Sequence, residues 1–189
     1  MAKFSLKPED ILVVDDLKLA WMMAHPLGVP VAYAAWSKID FPDLTEEMRQ
    51  ICAWHYEGRY SIYDLPPFET MRKRQMGFCK PDAAKNYRVF CQNGEILGFV
   101  NIQEEQTEVF VGVGVKPELC GRGYGRQILT DTCHISKSLY PGKPLYLQVR
   151  TWNQRAVNCY KRAGFCIDGK PFTMVTGIGE GRFYRMVKE

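Results

Sequence analysis

The spacing of apolar residues changes along the chain from a helical period to a period of two. In residues 45–58 apolar side chains recur every three or four positions between a possible N-cap threonine and a terminating glycine, which predicts a helix. A second, shorter helix is predicted over residues 67–76. Before these two elements, residues 34–39 predict a short strand, and residues 13–24 show the spacing of a helix.

Alternating apolar residues from position 87 onwards predict a set of strands. Residues 87–91 and 96–103 are separated by Gln92-Asn93-Gly94-Glu95. We expect a hairpin here, because Asn-Gly readily adopts the positive φ angles of a tight turn. A third strand is predicted over residues 108–115, which completes an antiparallel meander.

Helices and strands alternate in the second half of the chain. A glycine-rich loop leads into a helix, followed by a strand over residues 145–149, a helix over 154–163, a strand over 165–168 and a hairpin over 172–186. The predicted fold class is α/β, a mixed sheet in which an antiparallel meander precedes a βαβα unit and a C-terminal hairpin. We predict one domain over residues 35–189 and an N-terminal extension over residues 1–34.

The composition is that of an ordinary globular protein. Of 189 residues, 46% are hydrophobic and 24% are charged, and no apolar run reaches the ~20 residues that span a bilayer. Acidic residues occupy the N-terminal stretch where a signal peptide would be apolar, so we expect a cytoplasmic protein without a membrane partner. The seven cysteines contain no C-x-x-C pair and the three histidines are isolated, so no metal site is expected.

The charge is distributed unevenly along the chain. Residues 1–115 carry 12 basic and 16 acidic side chains, whereas residues 116–189 carry 13 and 5. The basic second half indicates an anionic ligand. Because its basic residues are dispersed and lack interleaved aromatic residues, we expect a small phosphorylated ligand and no nucleic-acid partner.

The glycine-rich loop is a candidate phosphate site. Gly121, Gly123 and Gly125 precede a helix, and Arg122 and Arg126 add positive charge. Glycines let a ligand approach the backbone, and the first turn of a helix presents unpaired N–H groups to anions. The alternative is a loop that needs glycines only to turn. No Gly-Lys-Ser/Thr triplet follows, and the G-x-G-x-G spacing does not match a dinucleotide fingerprint.

A second motif lies after the next predicted strand. Asn153 stands where the helix begins, Ala156 and Tyr160 share one face of it, Gly164 ends it and Phe165 opens the following strand. Asn153 can cap the helix, contact a ligand, or do both.

These two motifs, in this order, resemble those of the GNAT superfamily of N-acetyltransferases. The loop pattern Q/R-x-x-G-x-G/A corresponds to Cys120–Gly125, with a cysteine in the Q/R position, and N-x-x-A-x-x-x-Y-x-x-x-G-F is matched at every position. The resemblance implies transfer of acetyl from acetyl-CoA to a primary amine of a small molecule or a protein N-terminus. It implies that the cofactor contacts are Val113, Gly114, Val115, Cys120, Gly121, Arg122, Gly123, Tyr124, Gly125, Arg126, Asn153 and Tyr160.

The resemblance also implies the catalytic groups. Tyr160 matches the tyrosine whose hydroxyl lies near the CoA sulfur and serves as general acid, although a tyrosine there could equally be a core aromatic. The family often uses a glutamate of the strand before the loop as general base, which points to Glu108. Glu104 and Glu105 are rivals, and each of the three could instead be a solvated surface acid.

Two classes of function stay open at this stage. The first is an acetyl-CoA-dependent N-acetyltransferase, and the second is a non-catalytic acyl-CoA sensor or interaction module with the same fold. The acceptor amine is not encoded in any motif. An aromatic cluster lies where the family places acceptor contacts, and the protein is expected to be a monomer or a homodimer. The cluster comprises Trp54, Tyr56, Tyr60, Tyr63 and Phe68.

Overall fold

The computed structural model describes residues 31–34 and 45–189. Seven strands and four helices form this part of the chain. In chain order they are β1 (Val31–Ala34), α1 (Thr45–Cys52), α2 (Phe68–Lys73), β2 (Tyr87–Gln92), β3 (Glu95–Glu104), β4 (Val109–Val115), α3 (Tyr124–Leu139), β5 (Leu145–Arg150), α4 (Gln154–Arg162), β6 (Cys166–Thr176) and β7 (Gly179–Lys188).

All seven strands belong to one mixed sheet. Their spatial order is β1-β2-β3-β4-β5-β7-β6, so β7 lies between two strands that precede it in sequence. Every neighbouring pair is antiparallel except β4 and β5, which are parallel. A parallel pair requires a crossover connection, and α3 supplies it.

The larger hydrophobic core lies on the sheet face that α3 and α4 cover. Strands β3, β4 and β5 contribute alternate apolar residues, such as Val100, Val111 and Leu147, because successive side chains point to opposite faces. Helix α3 buries Ile128 and Leu129 against them. This packing holds the glycine-rich loop at the N-terminus of α3 next to the C-terminal end of β4.

A second, smaller core lies where α1 and α2 pack on β2 and β3. Its buried residues include Met48 and Ile51 of α1, Phe68 and Met71 of α2, and Val89 of β2. Phe99 of β3 packs at the edge of this cluster. The apolar residues whose helical spacing predicts α1 and α2 are therefore buried in the structure.

The structure confirms the predicted class and order of elements. Asn93 and Gly94 have φ angles of 52° and 78°, as the predicted hairpin turn requires. Strand β6 is longer than predicted because Phe172 and its neighbours continue the strand past an irregularity after Asp168. Helix α1 ends at Cys52, before the predicted end.

The predictions for the N-terminal part fall mainly outside the described residues. Strand β1 covers residues 31–34, so of the predicted strand at 34–39 only Ala34 lies within the described part. The helix predicted over residues 13–24 lies outside the described residues, and the domain boundary at residue 35 stays a prediction.

Across the described ranges, no helix has the length and apolar character that crossing a membrane requires.

Candidate functional site

The cavity of this protein opens where β4 and β5 separate. The two strands pair only at Val109–Leu145 and Phe110–Tyr146, although both continue for several residues beyond. A parallel pair that stops early leaves a wedge in the middle of the sheet. The wedge closes at the N-terminal ends of the strands and opens at their C-terminal ends.

One edge of the wedge carries backbone groups available for a ligand. The N–H of Lys116 donates to Leu97 O on β3, so by the alternation of an antiparallel pair Val111, Val113 and Val115 direct their N–H and C=O groups away from β3 and towards the wedge. Val109 N, in the same phase, donates to Pro144 O on the β5 side. An extended amide-containing ligand can therefore pair with β4 as an added strand.

The wedge forms the centre of a cavity of about 860 Å³. Both predicted motifs line it, together with the β4 residues from Phe110 to Val115. A further part is an aromatic wall, which consists of Trp54, Tyr56, Tyr63 and Phe99. The residues that line the cavity are Ile51, Trp54, Tyr56, Tyr63, Leu65, Phe99, Phe110–Val115, Cys120–Gly123, Gly125, Arg126, Gln148–Arg150, Asn153, Arg155, Ala156, Asn158–Tyr160, Arg162 and Phe183.

The glycine-rich loop presents unpaired N–H groups to this cavity. Within the described part of the chain, no acceptor is found for the N–H groups of Gly121, Gly123, Tyr124 and Gly125. Gly121 and Gly123 have φ angles of 81° and 94°, and a Cβ built on either meets nothing within 4 Å. The glycines are therefore required for the backbone conformation, while the space above them is open for an anion at the positive end of α3.

The third glycine has a packing role. A Cβ at Gly125 would lie 3.0 Å from Cys159 Sγ and 3.4 Å from Val115 Cγ2, so this glycine lets α3 approach α4 and β4 closely. Tyr124 packs its side chain against the main core, so only its N–H is available to a ligand.

Cys120 occupies the loop position where the family pattern has Gln or Arg. Its thiol lies 3.7 Å from Val115 O, and burial raises its pKa, which keeps the sulfur protonated at neutral pH. The contributions to an anion site at this loop are therefore the backbone N–H groups and the exposed guanidinium groups of Arg122 and Arg126.

Asn153 serves two purposes at the start of α4. Its Oδ1 accepts a hydrogen bond from Ala156 N at 3.1 Å, which is the N-cap geometry. Its Nδ2 donates to the hydroxyl of Tyr63 at 3.2 Å. The side chain thus fixes the helix that carries Tyr160 and joins it to the aromatic wall.

Tyr160 lies on the cavity side of α4 and is half-buried, with its ring against the main core. Burial is the main cause that raises its pKa above the ordinary value of a tyrosine, with a smaller contribution from Cys159. The hydroxyl therefore stays protonated across the physiological range. No hydrogen-bond partner is found for it among residues 31–34 and 45–189, so its proton is available to a ligand.

The aromatic wall is held by a set of hydrogen bonds around Asp64. This carboxylate accepts from Tyr56 N at 2.8 Å and lies 2.5 Å from His55 Nδ1. Tyr56 in turn donates its hydroxyl to Val115 O at 2.8 Å, and burial raises the pKa of that hydroxyl. Of the three carbonyl groups that β4 directs to the wedge, that of Val115 is therefore already in use.

The aromatic cluster predicted from the sequence divides in two. Trp54, Tyr56 and Tyr63 line the cavity. Tyr60 instead stacks under the guanidinium of Arg155, which lies 4.0 Å from its ring centroid, and Phe68 is buried in the smaller core.

Glu108 is not brought together with Tyr160, and its assignment as general base does not fit this geometry. Its carboxylate is paired with both Nη atoms of Arg185 and does not line the cavity, because it lies at the closed end of the wedge. Its rivals lie at the same end. Glu104 pairs with Lys143 Nζ at 2.7 Å, and Glu105 accepts the hydroxyl of Tyr146 at 2.9 Å.

No Asp, Glu or His of the described ranges lines the cavity. In the same part of the chain, no group of three or more His, Cys, Asp or Glu side chains is placed to hold a metal ion. The cavity residues that the sequence analysis missed are mainly Arg150, Gln148, Phe110 and Phe183. The one sequence signal for Arg150 is a charged residue at the end of an otherwise apolar strand.

Comparisons with known proteins agree with this geometry. A solved chimera of the spermidine N-acetyltransferase SpeG from Vibrio cholerae and hSSAT has a TM-score of 0.59 at 18% identity, over 84% of this chain and 93% of that one. Campylobacter jejuni N-acetyltransferase PseH has a TM-score of 0.57 at 16% identity, over 85% of this chain and 97% of that one. Vibrio fischeri ribosomal-protein-S5-alanine acetyltransferase has a TM-score of 0.56 at 13% identity, over 76% and 88%.

These solved structures share the fold of the chain, at identities too low to transfer a substrate. No curated protein matches the sequence significantly. The sequence model described as "Acetyltransferase (GNAT) family" matches residues 45–165, which is more than half of the chain and includes both motifs. The protein therefore belongs to the acetyltransferase (GNAT) family and is an acetyl-CoA-dependent N-acetyltransferase.

Proposed function

We propose that the protein transfers the acetyl group of acetyl-CoA directly to a primary amine, either of a small molecule or of a protein N-terminus. The observation that carries this proposal is that three glycines with unpaired N–H groups, Gly121, Gly123 and Gly125, line one cavity together with Tyr160. Acetyl-CoA supplies an activated acetyl thioester. The amine nitrogen bonds to the acetyl carbon, the carbon–sulfur bond breaks, and one proton ends on the sulfur.

The donor half of the site is formed by the glycine-rich loop and β4. The N–H groups of Gly121, Gly123, Tyr124 and Gly125 would bind the pyrophosphate of CoA, supported by exposed arginines nearby. The carbonyl of Val111 and the N–H and carbonyl of Val113 would pair with the amide-containing arm, since these groups face the wedge and the N–H of Val111 is used in the pairing with β5. Val113, Gly114 and Val115 line the cavity, which supports the proposal that they lie next to the donor. Among them, Val113 is the residue whose backbone groups facing the wedge have no partner in the described part of the chain.

Tyr160 would protonate the departing sulfur. Burial raises the pKa of Tyr160, so the hydroxyl holds its proton at neutral pH and would donate it to the sulfur as the carbon–sulfur bond breaks. The same shift makes the phenol a weaker acid than the thiol, so the phenolate would regain its proton from solvent. The alternative role is a core aromatic whose hydroxyl is accessible from the cavity, and the two roles differ in whether turnover depends on that hydroxyl.

The amine would reach the site in its neutral form or lose its proton to water. An alkylammonium has a pKa of about 10 and carries no lone pair, so its nitrogen must lose a proton before it can attack the acetyl carbon. Among the described residues that line the cavity, no carboxylate or imidazole can take it. The hydroxyls of Tyr56 and Tyr63 are poor bases because burial keeps both protonated.

A non-catalytic acyl-CoA sensor on the same fold is the competing function. The partnerless hydroxyl of Tyr160 at the donor site favours the enzyme, because a sensor needs no proton donor there. The cytoplasmic location and the monomeric or homodimeric state stay as predicted from the sequence, as does the lack of nucleic-acid and membrane partners.

Two measurements test the proposal. Calorimetry with acetyl-CoA should show micromolar binding and a raised melting temperature, since the ligand binds only the folded protein. Release of CoA thiol should then be followed with a panel of amines. Binding without thiol release from any amine would establish the sensor, and no binding at millimolar acetyl-CoA would contradict both functions.

A further inference from the structure

Five arginines line the cavity, and one differs from the others. Arg122, Arg126, Arg155 and Arg162 are exposed and belong to the glycine-rich loop, α3 and α4, where a phosphorylated donor needs positive charge. Arg150 ends β5 and is only 7% exposed. Its charge lies inside the protein, so the phosphates of an exposed loop do not account for it.

The guanidinium of Arg150 has only neutral partners. Nη1 donates to Glu180 O at 3.1 Å, and Nη2 lies 3.3 Å from Gly179 O and 3.5 Å from Ile178 O, at the β6–β7 turn and the start of β7. The buried Nε has no hydrogen-bond partner. No carboxylate of the described residues forms an ion pair with this side chain. A buried guanidinium stays charged, and buried charges are normally paired.

The fold makes room for this charge. A Cβ at Gly181 would lie 2.0 Å from Nη1 of Arg150, so the glycine opposite leaves the space that the guanidinium occupies. Arg150 pairs with Phe183 in the sheet register and its guanidinium lies 5.0 Å from that ring. Gln148 lies two residues earlier on the same strand and therefore on the same face. The charge is thus fixed on the β5 side of the wedge, beside the apolar ring of Phe183. We call this the acceptor side, because the proposed donor contacts lie on the other side, on β4 and the glycine-rich loop.

We propose that Arg150 binds the carboxylate of the acceptor, and that the acceptor is a small primary amine with a carboxylate and an apolar side chain. This inference rests on the proposed N-acetyltransferase function. One buried positive charge that lines the cavity and has no ionic partner matches the single charge of a carboxylate. The aromatic wall, with Trp54 and Phe99 at 5.9 Å between ring centroids and Phe110 on β4, would contact the apolar part.

The same cavity is poorly suited to a polyamine. A polycation requires acidic partners, and the cavity wall formed by the described residues contains five arginines and no acid. The spermidine acetyltransferase whose fold this chain shares is therefore not a guide to the acceptor. The two proteins share a fold, whereas the positive charge of the cavity comes from arginines of this chain.

The test compares acceptors that differ in one group. Thiol release is measured with L-phenylalanine, L-phenylalaninamide and spermidine for the wild type, Arg150→Met and Arg150→Lys. In Arg150→Met the ratio of kcat/KM for phenylalanine to that for the amide should fall by about 30-fold or more, because one partner of a buried charge pair is lost. Arg150→Lys should recover part of the ratio. Arg182→Met, an exposed arginine of β7, is the control and should leave it unchanged.

A role of Arg150 in folding alone gives a different result. If the side chain only holds the β6–β7 turn, the kcat/KM values for phenylalanine and its amide will fall by the same factor, and the inference is overturned. A wild-type measurement covers the case in which Arg150→Met does not fold. 3-Phenylpropionate should inhibit the wild type competitively against the acceptor at least ~10-fold more strongly than 3-phenylpropanamide.

The failure of this inference is distinguishable from failure of the proposed function. Thiol release with spermidine or the amide, but without a preference for the carboxylate, would overturn the role of Arg150 and leave the N-acetyltransferase in place. Absence of release with every amine would overturn both.

Discussion

The two ends of the cavity use different chemistry. At the proposed donor end, backbone N–H groups of Gly121, Gly123 and their neighbours are unpaired and would supply the ligand contacts. At the proposed acceptor end the contacts would come from side chains held in place by the sheet, chiefly Arg150 and the aromatic wall. A backbone site depends on glycines at fixed spacing and leaves a motif, whereas a side-chain site depends on the fold.

The largest effect is expected from changing the backbone of the donor end. Gly123→Val forces a branched residue into a φ of 94° and fills the open space above the loop. We expect acetyl-CoA affinity to fall by at least about 100-fold, equivalent to two lost charge-assisted hydrogen bonds. Calorimetry measures the loss.

A matched variant separates binding from backbone strain. Gly142 has a φ of 81°, has nothing within 4 Å of a built Cβ and does not line the cavity. Gly142→Val should therefore show a similar strain of about 1–2 kcal/mol in unfolding and unchanged acetyl-CoA affinity. Equal affinities in the two variants would show that the loop is only a turn.

Tyr160 stands between the two ends, and its removal tests the reaction without disturbing either. Tyr160→Phe keeps the ring that packs on the core and removes the hydroxyl. Turnover should fall roughly 10²-fold, the lower range for a general acid, while the KM for acetyl-CoA changes much less. Tyr184→Phe, on β7 outside the cavity lining, is the control for loss of a hydroxyl. Wild-type turnover with a lowered urea midpoint in Tyr160→Phe would contradict the general-acid role.

The dependence of kcat/KM on pH tests whether a protein group at the acceptor end takes the proton of the amine. Without a protein base, kcat/KM should rise about tenfold per pH unit until the amine of the acceptor titrates. Because the pKa of Tyr160 is raised, its proton is retained and no decline should appear below about pH 10. The midpoint should move when L-phenylalanine is replaced by its less basic amide. A midpoint near 7 that is the same for both acceptors would reveal a titrating protein group.

The smallest effect is expected at Asn153, which joins the two ends. Asn153→Ala removes the cap of α4 and should lower the free energy of unfolding by about 1 kcal/mol. Tyr63→Phe keeps the cap but removes the hydroxyl that accepts from Asn153 Nδ2, so it should fold with nearly wild-type stability. Urea unfolding of the two variants separates the roles, and equal destabilisation would mean that the Tyr63 hydrogen bond matters more than the cap.

The contrast between the ends also explains what the sequence could predict. Local signals were sufficient for the Asn93-Gly94 hairpin, for the cap at Asn153 and for the glycine-rich loop, because each is determined by residues a few positions apart. Glu108 is predicted as the general base only because it begins the strand before the loop. Its actual environment depends on Arg185, which lies 77 residues later and engages it in an ion pair.

Arg150 could not have been predicted for the same reason. Its partners are three carbonyl groups at the β6–β7 turn and the start of β7, and its space comes from Gly181. These contacts follow from the insertion of β7 between β5 and β6, which the pattern of apolar residues does not reveal because the predicted hairpin is compatible with either strand at the edge.

The insertion of β7 has a consequence for the order of folding. Leu145 pairs with Lys188 and Arg150 with Phe183, so β5 gains its antiparallel neighbour only when the last strand is in place. The meander of β2, β3 and β4 has short connections and can form early, whereas pairings between distant residues form slowly. We therefore expect the acceptor end to be completed after the donor end. Any local opening of the β6–β7 hairpin would remove the antiparallel neighbour of β5 and the hydrogen-bond partners of Arg150 at the same moment.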